Sequence, residues 1–324
     1  MRGRFNYWRR IFRSYLFPRS SALAFWHEHP AVSPNFNVYE LGPYYMTFAD
    51  KANYNGPRDD GGIILLDYRG DIGLQHNPIA IAQYGLARLN LYLNSRREDD
   101  LNEAKRHGDW LVSNLKKNSK GVEIWPHDFS WRYRENLLPG WYSALAQGTG
   151  LSLLVRLYKA TLDEKYLDTA RRAYAALLAP VESGGVQFVD DSGDIWLEEY
   201  VVDPPTHILN GFLWTLWGVW DYYLLTREKS ALELFEKCSK TIEKNLPRYD
   251  SGFWSLYDLS EGVLRMIASP FYHRLHIVQL QVTKKLASDP VFGEYAERWA
   301  GYEKNPIYRI SALVYKIIFK IFYF

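Results

Sequence analysis

Residues 78–93 read PIAIAQYGLARLNLYL, and the spacing of their apolar side chains decides the fold class. Apolar residues recur at intervals of three and four, the period of a helix face, and Pro78 suits a first helical turn, where an N–H has no intrahelical partner. The same pattern returns in 99–116, 140–161, 164–178, 207–226, 229–246, 272–287 and 289–302, which predicts about eight helices joined by loops rich in Gly, Pro, Asp and Trp. Antiparallel helix pairs in series close into a bundle or an (α/α) toroid, and ligands then bind where the connecting loops converge on a cavity. No exact internal repeat or low-complexity tract is visible, so the pairing rests on spacing alone.

Upstream, VYELGPYYMTF (38–48), a polar turn DKANYNGPRDDGG (50–62) and IILLDYRGDIGL (63–74) alternate apolar runs with Gly, Pro, Asn and Asp, which predicts a small β-hairpin region. The expected fold is therefore mainly α, an (α/α) toroid or incomplete barrel preceded by that region. The expected divisions are a basic, aromatic segment at 1–36, the hairpin region at 37–76, the toroid at 77–304 and a basic amphipathic helix at 305–324. Asp50, Asn53, Asp59 and Asp60 offer hard oxygen ligands for a structural Ca²⁺.

Bulk properties bound the function. The 324 residues carry 39 basic and 37 acidic side chains, a formal charge of +2, so no long-range field marks the chain for nucleic acid. Cys238 is the sole cysteine, which excludes a disulfide framework and fits a reducing, cytoplasmic compartment. Aromatic residues make up 16% of the chain, and aromatic faces either fill cores or stack on sugar rings. Residues 1–19 interleave six arginines with aromatic and aliphatic residues and lack the apolar run of a signal peptide or membrane span. In residues 307–324 the cations Arg309, Lys316 and Lys320 lie seven and four apart, so one helix face is basic. That pattern is expected either of a helix lying peripherally on the inner face of the cytoplasmic membrane or of a terminal helix packed on the body.

Three stretches concentrate polar and aromatic residues: 194–210 (DIWLEEYVVDPPTHILN), 249–259 (YDSGFWSLYDL) and 270–279 (PFYHRLHIVQ). In a strand, Glu198 and Tyr200 would share one face and Glu199 the other, so one carboxylate is expected to enter a pocket, where burial would raise its pKa. Trp196 flanks that pair. Trp254 and Tyr257 present rings for stacking or for core filling. Tyr272 and His276, four apart, share a helix face and can converge with His273 nearby. A zinc pair of histidines would need a third protein donor, and the sequence has neither a nearby cysteine nor an HExxH motif, so no catalytic metal is expected.

NPIAIAQYGL (77–86), PGWYSALAQGTG (139–150), WLEEY (196–200), LNGF (209–212), SLYDL (255–259) and YHRLHIVQL (272–280) occur in this order. Together they resemble the C-terminal region of heparan sulfate D-glucuronyl C5-epimerases, from about Gln75 to Tyr302. The resemblance implies a catalytic glutamate and three tyrosines, which fall on Glu199, Tyr200, Tyr257 and Tyr272. It also implies an (α/α) toroid, no organic cofactor, and reversible inversion at carbon 5 of glucuronate, to iduronate, within a glycan. Gln83, Gln147, Asn210, Trp196 and Trp254 lie in or beside these motifs and are candidate substrate-binding residues.

Inversion removes the carbon 5 proton on one ring face and returns one on the other, so two opposed groups are required. Glu199 would serve one face, and Tyr272 the other if neighbours lower its pKa; Tyr200 and Tyr257 would donate hydrogen bonds. Charge passes into the sugar carboxylate, which calls for donors or cations, with His276, His273 and Arg274 as the nearest candidates. Animal members carry an arginine directly after YDL where this chain has Ser260, so Arg265 is a candidate replacement. Alternatives from the same residues are a polysaccharide lyase, a glycoside hydrolase drawing on Glu198, Glu199, Asp203 and Asp258, or a glycan-binding protein without activity. The expected partner is a uronate-containing glycan, with homodimerisation open.

Overall fold

The computed structural model describes residues 25–323 together with Phe12 and Tyr15. Eight of its helices form four hairpins in series: α1 (Pro78–Ser95) with α2 (Glu98–Asn114), α3 (Ala144–Thr161) with α4 (Glu164–Leu178), α5 (Leu209–Thr226) with α6 (Lys229–Asn245), and α7 (Pro270–Ala287) with α8 (Pro290–Lys304). The first member of each hairpin packs on the next, α1 on α3, α3 on α5, α5 on α7, while α2, α4, α6 and α8 each lie behind their partner. The inner helices are apolar on almost every side, which is why they lie inside; the outer ones carry a polar face to solvent. The result is an (α/α) toroid, open between α7 and α1, and the expected fold class holds.

A structural repeat that the residue types conceal is present. Each inner helix has 18 residues and ends on a left-handed residue, Arg96, Leu162, Arg227 or Ser288, and the outer helix begins after one further, extended residue. None of the four is glycine, although the left-handed conformation costs other residues roughly 1–2 kcal/mol. The corner is held by its packing rather than by its residue type. Starts are capped in the ordinary way: Asn77, Ser143 and Ser269 accept backbone N–H groups at the heads of α1, α3 and α7. Between α3 and α5 the backbones nearly touch, and a Cβ on Gly148 would lie 2.4 Å from the Thr215 Cα.

The upstream region departs from the expected hairpins. Only β1 (Leu66–Asp67) and β2 (Leu74–Gln75) pair there, with isolated bridges at Val32–Met46 and Arg58–Ile64, and Ala49–Ala52 form one helical turn. Residues 36–48 plug the ring instead. Asn90 of α1 accepts from the Tyr44 N–H at 2.6 Å, Arg156 of α3 donates to the Gly42 carbonyl at 2.9 Å, and Trp220 of α5 donates to the Val38 carbonyl at 3.0 Å. Tyr44 stacks on Trp214 at 5.9 Å. Tyr44, Tyr45 and Met46 are buried one after another, so the alternation of a half-buried strand has no purpose there. Asp50 and Asp59 are engaged by His29 and His76, and the described acidic residues form no group of three that could hold a metal. The residues proposed for Ca²⁺ do not converge.

The helix α9 (Pro306–Tyr323) reverses the expected orientation of its faces. Lys316 is half-buried, donates to the Ile267 carbonyl at 3.2 Å, and is pushed down to about 8 by desolvation. Arg309 donates to the Tyr15 carbonyl at 2.6 Å. Ile307, Ile310, Val314, Ile318 and Ile321 face outward. Arg309 and Lys316 thus bond to backbone carbonyls, so this part of the stripe read as a basic surface is an attachment face. Among the described residues no helix is long and apolar enough to cross a membrane. Apart from Phe12 and Tyr15, the arginine-rich stretch at 1–19 lies outside the described residues.

Candidate active site

All four inner helices point their N-terminal ends at one cavity of about 500 Å³, a size ordinary for small-molecule sites. Asn77, Ile79 and Gln83 of α1, Leu145 of α3, Asn210 and Trp214 of α5, and Tyr272 and Leu275 of α7 form its floor. Phe129, Trp131 and Trp141, from the connection before α3, line it with Glu199 and Tyr200, and Trp26, His27, Lys51, Tyr68 and Arg69 complete the rim. The converging helix starts favour negative charge at the floor.

Glu199 follows β8 (Ile195–Leu197), which pairs with β7 (Gln187–Val189). Because the strand ends at Leu197, its alternation does not continue, and Glu199 and Tyr200 both face the cavity. Glu198 turns away and takes the His207 backbone N–H at 3.1 Å and its ring Nδ1 at 2.5 Å. Glu199 is 5% exposed, and its one hydrogen bond comes from Asn210 Nδ2 at 3.2 Å. Burial pushes its pKa up to about 8, with the Asn210 bond opposing and the Glu198 charge adding. Gly211 makes room for it, since a Cβ there would lie 2.1 Å from Glu199 Oε2.

Tyr200 packs at 4.5 Å from the Tyr133 ring and 5.5 Å from Trp141. Tyr272 meets Tyr257 edge to face at 5.0 Å, and Tyr257 sits one layer behind the wall rather than in it. The lowered phenol expected for Tyr272 is not found. Burial raises it, the Glu199 charge raises it further, and the adjacent Tyr257 hydroxyl offsets only part. Burial and the Glu199 charge likewise hold Tyr200 and Tyr257 well above the ordinary phenol range. These phenols therefore hold their protons and are hydrogen-bond donors.

Several expected substrate contacts lie elsewhere. His273 stacks on Trp254 at 3.8 Å and bonds the Trp299 carbonyl at 3.0 Å; burial pushes it down to about 3. His276 is fully buried and shares the Ser255 hydroxyl with His273, at 3.0 Å. It lies four residues after Tyr272 but on the flank packed toward α8, so the shared-face expectation fails. Arg274 pairs with Glu303 at 2.5 Å, and Arg265 donates to the Arg248 carbonyl at 3.3 Å. Trp254 donates to the Ala268 carbonyl, Trp196 stacks on His207 at 4.0 Å, and Gln147 bonds the carbonyls of Glu123 and Ala173. These three are core residues. Gln83 and Asn210 do reach the cavity, and the Asn210 Oδ1 is buried without a partner.

The arginine missing after Leu259 has a neighbour in space. Arg134, from the hairpin of β5 (Trp131–Arg132) and β6 (Asn136–Leu137), bonds the Ser260 hydroxyl and lies 3.9 Å from Asp258. Tyr133 beside it donates to Asp258 at 2.9 Å. Sequence reasoning also passed over Trp141, Lys51, Tyr68 and Arg69. Trp141 stands inside a motif already singled out at 139–150; the other three come from turns whose direction no periodicity encodes.

The D-glucuronyl C5-epimerase C-terminus family matches residues 118–301, more than half of the chain. A D-glucuronyl C5-epimerase of Caenorhabditis elegans is 32% identical over 264 residues, covering 76% of this chain and 41% of that protein. An uncharacterised protein of Methanocaldococcus jannaschii is 32% identical over 202 residues, covering 59% of this chain and 64% of its own length. The chain thus spans less than two thirds of either relative. Among solved structures, the unsaturated glucuronyl hydrolase of Bacillus sp. GL1 aligns over 71% of this chain and 61% of its own, at 15% identity and a TM-score of 0.45. With a family match running from the turn between β3 (Lys116–Lys117) and β4 (Glu123–Ile124) to the last turn of α8, and containing Glu199, Tyr200, Tyr257 and Tyr272, the chain is a member of the D-glucuronyl C5-epimerase family.

Proposed function

We propose that the chain inverts carbon 5 of a glucuronate residue in a glycan, giving iduronate, by removing the proton on one ring face and returning one on the other. The observation that carries this reading is a buried carboxylate, Glu199, held by one hydrogen bond in a cavity shared with the phenols of Tyr200 and Tyr272. Glu199 is the base for the carbon 5 proton. Its raised pKa makes it a stronger base than an exposed carboxylate once it is ionised, and close to the operating pH. Tyr272, with its phenol proton firmly held, is the donor on the opposite face.

As the proton leaves, charge passes into the sugar carboxylate as an enediolate. The Tyr200 hydroxyl, the Gln83 amide and the positive ends of the inner helices meet that charge. Tyr257 positions Tyr272 from behind. Trp131, Trp141 and Trp214 supply flat apolar surface for the ring. The chemistry needs neither a metal nor an organic cofactor.

A lyase would remove the same proton and then expel the carbon 4 substituent, so the products separate the two. Hydrolysis is less well supported, because Glu198 and Asp258 are tied to His207 and to Tyr133, and neither lines the cavity. The test is incubation of defined uronate oligosaccharides in deuterium oxide. Deuterium at carbon 5 with a mixture of glucuronate and iduronate supports the proposal. Unsaturated uronate, new reducing ends or no incorporation into any uronate glycan would overturn it.

A further inference from the structure

Enediolate formation concentrates negative charge on the substrate carboxylate, yet the cavity itself is short of cations. Three carboxylates line it, Glu28, Asp67 and Glu199, against the cations Lys51 and Arg69 and the histidine His27. Lys51 is committed to the protein: it is 4% exposed, donates to the Phe25 carbonyl at 2.6 Å, and lies 3.5 Å from Glu28. Arg274 and Arg265, on the other side of the molecule's wall, are bound to Glu303 and the Arg248 carbonyl.

Arg69 is different. It sits at the tip of the β1–β2 hairpin, where its backbone N–H is held by Asp67 Oδ1 at 2.8 Å and its carbonyl accepts from Gly73 at 3.4 Å. Its φ is 60°, a left-handed conformation that a residue without special need avoids. Gly70 follows it at φ 56°, where a side chain is disfavoured. The turn is thus fixed by backbone contacts that leave the guanidinium over the cavity, exposed and with no protein partner among the described residues.

We propose that Arg69 is the carboxylate-recognition residue of this site, its planar guanidinium taking both oxygens of a uronate carboxylate of the glycan. A bidentate guanidinium is the donor that best matches that group, and it brings positive charge to a cavity whose other cation, Lys51, is already paired with Glu28. The proposal rests on the epimerase reading for its substrate class, though not for its geometry.

The test compares wild type, Arg69→Gln and Arg69→Lys on a uronate oligosaccharide and on its carboxyl-reduced counterpart, measuring affinity for both and carbon 5 exchange on the first. Charged hydrogen bonds of this kind are lost at a cost of roughly tenfold to 100-fold in binding. Wild type should prefer the uronate glycan by about that factor, Arg69→Gln should lose the preference, and Arg69→Lys should recover part of it. If the carboxylate is that of the reacting sugar, kcat for exchange falls with the charge it must stabilise; if it belongs to a neighbouring uronate, only KM rises. An Arg69→Gln protein that melts with wild type and retains the full preference would overturn the proposal. A wild type that shows the Arg69-dependent preference but never exchanges carbon 5 would overturn the epimerase reading and leave this one standing.

Discussion

Two buried carboxylates sit at opposite ends of the ring and have opposite characters. Asp221, near the end of α5, receives Arg156 through both terminal nitrogens, at 2.5 and 2.9 Å, and the Tyr45 hydroxyl at 2.5 Å. Glu199, at the head of α5, has Asn210 alone at 3.2 Å. Both are buried, so burial does not distinguish a structural carboxylate from a reactive one. Partner number does: Asp221 has its charge matched by a guanidinium and its oxygens filled, whereas Glu199 has a single amide donor.

Removing each carboxylate should therefore break different things. Glu199→Gln keeps the shape and the Asn210 contact but deletes the base, so exchange at carbon 5 should fall by on the order of 10²–10⁴-fold with the fold intact. Full exchange in that variant would end the assignment of Glu199. Asp221→Asn leaves Arg156 buried with a neutral partner and should cost roughly 3–5 kcal/mol of stability in urea unfolding. Exchange per folded molecule should be unchanged at a permissive temperature. A variant that stays as stable as wild type would mean that the Arg156–Asp221 pair does not bind the ring together.

Gly211→Ala sharpens the comparison, because it touches Glu199 without altering any polar group. Alanine is the better helix former by about 1 kcal/mol, so an isolated helix would gain. Here the new Cβ would lie 2.1 Å from Glu199 Oε2, and the carboxylate has to move. Displacement of a catalytic group by about 1 Å can cost on the order of 100-fold in rate. Exchange should drop without a matching fall in melting temperature, and unaltered exchange would show that Glu199 tolerates another position.

The two ends of the ring were not equally legible in the sequence. The helices were, because the inner ones are apolar and their three-and-four spacing is unbroken; residues 164–178 fall where expected to the residue. The fourfold corner was not, since Arg96, Leu162, Arg227 and Ser288 share a backbone conformation and no chemistry. At the site, the glutamate doublet beside a proline turn says only that one of the two faces inward; the resemblance carried by WLEEY is what singles out Glu199. Tyr272 and His276 were read as neighbours on one face, but helix spacing gives only an angle about the axis. It does not say that the cavity ends at the first turn and that α8 covers the next. Lys51 and Arg69 were invisible as a pair because they come from a plug and a hairpin tip folded over the ring from outside its repeat.

Titration probes the reactive carboxylate most finely. Exchange that depends on ionised Glu199 should rise about tenfold per pH unit below its pKa and level off near pH 8. Stability should move the other way. Below its ordinary value of 4.5 the carboxyl is protonated in both states, so it contributes no pH dependence there. Between that value and about 8 the unfolded chain ionises while the folded one holds the proton, so the folded state binds more protons and stability falls as pH rises. The slope from this one group is at most about 1.4 kcal/mol per pH unit. Above about pH 8 both states are ionised and the loss is complete. Glu199→Gln should remove this slope and nothing else, making the variant more stable than wild type at pH 9 and similar at pH 4. Parallel pH–stability curves for the two proteins would show that Glu199 titrates like an ordinary carboxylate, and its contrast with Asp221 would then rest on hydrogen-bond partners alone.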